Sequence, residues 1–173
     1  MDWYSSVFEL IDMRSFSNLW FWIALAVVWS SASHWVLGVP WDVVLRARRE
    51  EGQYAVDLED LIRINTNRIL HIGQVSGLWL LGFSCFFLTI LGLLGFFYAF
   101  EFGQAVFLLA FPMSLVGLLS MNTAKLIQEQ QLHGEELYRR LHIHRVITQA
   151  IGMVSIFVTA LWGMIQNMAI GAL

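Results

Sequence analysis

Histidines carry the most suggestive chemistry in this 173-residue chain. His34 lies inside the apolar run SNLWFWIALAVVWSSASHWVLGV, His71 opens a second such run, and His142 and His144 lead into another. At about 1.5 Å per helical residue, His34 falls roughly 10 Å in from Trp41. Three helices can thus bring imidazoles to similar depth. Ionisable groups inside a membrane span are costly and mark a functional hypothesis by default. Haem iron accepts axial histidine, and helix bundles build cofactor sites from facing helices. His34 paired with His71, or with His144, is the arrangement that would hold haem b or a metal. The plainer reading is that His71, His142 and His144 sit at an interface, where water or headgroups suffice. His142 and His144 are two apart and face different ways. The expectation adopted is that no cofactor is bound, with haem b as the alternative.

Other reactive groups are sparse. Glu129 and His133 are four apart, with Glu136 three further on, a spacing that could hold a cation or form an ordinary solvated face. The single cysteine, Cys85, falls midway along an apolar run, where a thiol is packed and inert. No Cys pair, Walker loop or Ser-His-Asp set is present, so the chain is read as a non-enzyme.

The elements that would position these residues follow from composition. Hydrophobic residues make up 58% of the chain and charged ones 13%, against roughly 25% charged in soluble domains. Mean hydropathy is +0.64. A soluble domain of this size could not hide so much apolar surface. Disorder is excluded by the same numbers. Nucleic-acid binding is disfavoured by a net charge of −3 and the lack of a basic stripe. What remains is an all-α integral membrane protein, a single domain over residues 1–173. Four runs approach the roughly 20 apolar residues a span requires, at about 17–39, 72–96, 104–121 and 146–168.

Charge placement orients them. Nine of the ten basic residues fall in two connections, Pro40–His71 and Asn122–Arg145. The positive-inside rule makes both cytoplasmic and places both termini outside. These connections lack strong breakers over WDVVLRARREE, LIQEQQL and EELYRRLHIHRVI. They are expected as helical extensions forming a cytoplasmic collar, with Asp57 as a cap for the helix entering the second span. Residues 1–16 carry no basic n-region and are read as an amphipathic helix on the outer leaflet, or equally as a simple extension of the first span, rather than a signal peptide. No Asp, Glu, Lys or Arg lies in any expected span core, which speaks against an ion-coupled carrier.

Five of the eight Trp residues cluster in or beside the first run. Trp20, Trp22 and Trp41 suit the membrane interfaces. Trp29 and Trp35 lie deeper and are candidates for contact with a partner. So are Gly73 and Gly77, whose small-xxx-small spacing lets a helix approach closely.

The opening FELIDMRSFSNLWFWIALAVVWSSASHWVLGVPWD, followed by RARR, resembles a family of small bacterial inner-membrane proteins. They are labelled as a component of the SufBCD complex, the iron–sulfur assembly system. The resemblance covers mainly residues 1 to about 120. It implies a bacterial inner-membrane location and a partner role in cluster assembly. It brings no site residues, and one cysteine offers no cluster-ligand spacing.

These readings converge on a four-helix membrane bundle that acts as a non-catalytic accessory or assembly subunit. Its partner would be a larger respiratory, photosynthetic or biogenesis complex in the inner membrane, and self-association as a homo-oligomer is left open. One alternative is a small b-type haem electron carrier. Another is a membrane tether for a soluble partner such as iron–sulfur assembly proteins.

Overall fold

The computed structural model describes residues 15–171, with side chains as far as Met168. A short helical turn at Ser15–Ser17 leads into α1 (Leu19–His34). A two-stranded hairpin follows, β1 (Trp35–Val36) and β2 (Val39–Pro40), and then α2 (Trp41–Glu50). Helix α3 (Gln53–Gly92) continues as a π-helical turn over Leu93–Phe97. Two long helices, α4 (Glu101–Gln130) and α5 (Gly134–Gly171), complete the described chain. Three of these helices, α3, α4 and α5, are long and apolar enough to cross a membrane. The amphipathic helix expected at the N-terminus falls almost wholly on residues outside those described.

The first apolar run departs from expectation. Its helix stops at His34, five residues before Val39, and the chain reverses through Leu37 and Gly38. Both residues have positive φ, 50° and 77°. That is the signature of a tight two-residue hairpin turn, and glycine adopts it without steric cost. Trp35 pairs with Pro40 and Val36 with Val39. The apolar residues at the end of the run therefore serve another purpose. Val36, Leu37 and Val39 are all at most 4% exposed. They enter a core with Val44 and Ala47 of α2, Leu58 and Ile62 of α3, Ile127 of α4, and Leu137 and Leu141 of α5. This is the expected helical collar, and it holds the larger of the two clusters of buried apolar residues among those described.

The helix boundaries explain themselves locally. α3 starts at Gln53, after Gly52 at φ 57°, one turn earlier than a cap at Asp57 would give. Asp57 instead accepts a 2.7 Å hydrogen bond from Gln53 inside the first turn. α4 ends where Gln131 turns left-handed, and Gly134, at φ 53°, opens α5. Glu129 and His133 thus lie on opposite sides of a turn rather than four apart on one helix. Glu129 pairs with Lys125, and His133 with Glu59.

Above the collar the long helices run antiparallel to their neighbours. Asn67 of α3 meets Gln128 of α4 near the collar, and Gly92 meets Phe107 towards the far end. α1 lies along α5, with Phe16 against Gly163, Trp29 against Gly152, and Ser33 against Arg145. That is about 27 Å of shared length at 1.5 Å per residue.

Candidate functional site

The expected imidazoles have separate surroundings. His34 is the last residue of α1 and is exposed; its Nε2 lies 3.6 Å from the carboxylate of Asp42. His71 is exposed on α3. His144 is 3% exposed, and its Nδ1 lies 3.1 Å from the Thr123 hydroxyl of α4. His142, two residues earlier, sits outside against the Trp41 ring at 5.9 Å. Among the described residues no group of three or more His, Cys, Asp or Glu could hold a metal ion. Cys85, expected to be packed, is exposed on α3.

What sequence spacing did not reveal is the role of Arg145. Its Nε donates to the Ser33 carbonyl at 3.1 Å. Its guanidinium lies 4.6 Å from the centre of the Trp41 ring. Carbonyls in the last turn of a helix have no partner within it and carry partial negative charge. A cation from α5 meets that need for α1, and the stacked indole holds it there. Arg145 thereby links α1, α2 and α5 where the collar meets the apolar helices.

The far end has a second polar knot. Gln104, 3% exposed, donates through Nε2 to the Gly95 carbonyl at 2.8 Å. Its Oε1 accepts from Trp162 at 2.9 Å and from Gln166 at 3.0 Å. The carbonyl it satisfies belongs to the π-helical turn. The close approach there demands glycine, since a Cβ on Gly95 would lie 2.7 Å from the Gln104 backbone nitrogen. The Phe16 amide donates to Glu101 at 2.6 Å, and the Trp22 indole to the Phe16 carbonyl at 3.1 Å. Between the two knots, Pro112 denies the Leu108 carbonyl its helical donor. Ser155 of α5 approaches that carbonyl at 3.4 Å.

The residues expected to meet a partner divide into two sets. Trp29 is 3% exposed, its ring against Gly152, so it serves the contact between α1 and α5. Trp35 is 52% exposed on the hairpin. A Cβ on Gly73 would meet only the flexible end of Met121, whereas Gly77 has nothing within 4 Å. Gly117 of α4, which the antiparallel register places opposite Gly77, is equally open. Gly77 and Gly117 are thus small residues at one level of α3 and α4, each with open space where a Cβ would stand, and Gly117 is exposed. α3 carries no buried residue between Thr66 and Leu91.

No protein-family model, curated protein or solved structure matches this chain.

Proposed function

We propose that this protein is a non-catalytic accessory or assembly subunit that docks, through α3 and α4, onto a larger complex in the bacterial inner membrane. The observation that carries the reading is the unfilled middle of α3. Its exposed side chains there are large and apolar, among them Leu78, Trp79, Phe83 and Phe86. Lipid chains can cover such a surface. The open glycines at that level instead suit a helix or a bulky side chain, because small residues let backbones approach.

The same reading takes α1 as a fourth span. At 16 residues it is short, about 24 Å. The Ser15–Ser17 turn and the hairpin continue it at either end, and it keeps level with α5 over nearly the whole apolar length. The arginine-rich collar then faces the cytoplasm, as the positive-inside rule requires.

The test is purification of the tagged native protein from its own membranes in mild detergent. A stable larger complex is expected. Trp79→Ala combined with Gly77→Leu should abolish co-purification while leaving the protein folded. A monomer with no partner, or a complex indifferent to both substitutions, would refute the proposal.

A further inference from the structure

A cleft of about 300 Å³ opens on the collar between the bases of α3, α4 and α5. It is remote from Gly77 and Gly117 and independent of what covers the membrane face. Thr66 lines it, is 2% exposed, and its hydroxyl has no hydrogen-bond partner among the described residues. Burying an unpaired hydroxyl is costly, so such a group points to a missing partner.

We propose that this cleft binds a short stretch of peptide main chain bearing one aliphatic side chain. The charged groups on its wall are already engaged locally. Glu59 accepts from the Gly134 amide at 2.9 Å and lies 3.3 Å from the His133 ring. Asp60 pairs with Arg63 at 2.9 Å. Among the described residues the cleft has no uncommitted cluster of cations for a phosphate and no set of three ligands for a metal. No Phe, Tyr or Trp lines the cleft, and its one ring, His133, is held against Glu59, so a sugar or a nucleobase would find no free stacking platform.

What the wall offers is neutral hydrogen bonding. The Asn67 carboxamide uses its oxygen to accept from Gln128 at 3.3 Å, which leaves its donors free. Gln131 spends its nitrogen on the Gln128 carbonyl at 2.7 Å, which leaves its oxygen free. Together with Thr66 these groups supply both donors and acceptors beside an apolar floor of Ile62, Ile127 and Leu137. A peptide backbone repeats one donor and one acceptor per residue, and its side chains alternate in direction. One side chain would therefore lie on the floor while the amides on either side meet the carboxamides. The volume is at the low end of ligand pockets, so the segment is short.

The experiment titrates the purified full-length protein in detergent with four probes, following side-chain amide resonances of Asn and Gln by NMR. The probes are N-acetyl-leucinamide, N-acetyl-glycyl-leucyl-glycinamide, sodium phosphate and zinc chloride. Both amides should shift the Asn67, Gln128 and Gln131 signals saturably, the longer one binding about tenfold tighter because it adds amide groups. Thr66→Val should weaken binding about fivefold. Asn67→Ala, at an exposed position, should weaken it similarly and covers the case in which the buried variant fails to fold. The proposal is overturned if neither amide saturates, if the two bind equally, if the folded variants bind like the unaltered protein, or if only phosphate or zinc produces the shifts.

Discussion

Leu58 and Ile62, at the base of α3, are at most 1% exposed, whereas Leu78 and Trp79, further along the same helix, are 87% and 84% exposed. The residue types hardly differ, but the neighbours do. At the base, the hairpin, α2, α4 and α5 all converge on α3. In its middle, among the described residues, it has α4 alongside but buries no side chain, and Gly77 and Gly117 both stand open. Apolarity thus does two jobs in one continuous helix. Below, it drives a compact core of the kind found in water-soluble domains. Above, it matches a surrounding of hydrocarbon or of another protein's helices, where burial within the chain is not required.

Four substitutions test this division by equilibrium unfolding in detergent with increasing SDS. Leu141→Ala removes a fully buried collar residue and should destabilise by about 2–5 kcal/mol, the usual range for opening a cavity in a core. Gly152→Leu drives a side chain into the Trp29 ring and should lose about 1–3 kcal/mol through overpacking. A neutral result would mean that α1 can move away from α5 freely. Gln104→Leu unties the knot at the far end. It should lose about 1 kcal/mol, since polar contacts between apolar helices are individually modest. Leu78→Ala should change stability by less than about 0.5 kcal/mol, as expected of a surface position. If it rivals Leu141→Ala, the comparison between the two ends of α3 fails.

The sequence made the helical architecture legible because its signal is strong. Long apolar runs, with basic residues confined to two connections, leave few alternatives. The collar was legible too, from WDVVLRARREE and EELYRRLHIHRVI. The end of α1 was not. A hydropathy window cannot tell Val36, Leu37 and Val39, buried in the collar, from residues facing lipid. The hint was Gly38 just before Pro40, a turn signal inside an apolar run. The candidate histidines show the same limit from another side. Spacing put His34 and His144 at one depth, but depth says nothing of azimuth. His144 faces Thr123, and His34 faces Asp42. Gln104 was read as the start of a span, and its three partners come from Gly95, Trp162 and Gln166, which no local pattern joins to it. Arg145 was counted as a topology signal, yet it also caps a helix more than a hundred residues away.

The continuity of α3 has a mechanical consequence. Its 40 residues contain no proline, so the helix is a single rod about 60 Å long. One end forms a wall of the collar cleft, and the other runs into the π-helical turn whose Gly95 meets Gly103 of α4 in a tight contact. A tilt of about 5° at the base displaces the far end by about 5 Å, more than enough to open or shut a contact made by glycines. The helix is therefore a lever as well as a wall. Whatever seats against its foot shares one rigid body with whatever leans on its shaft.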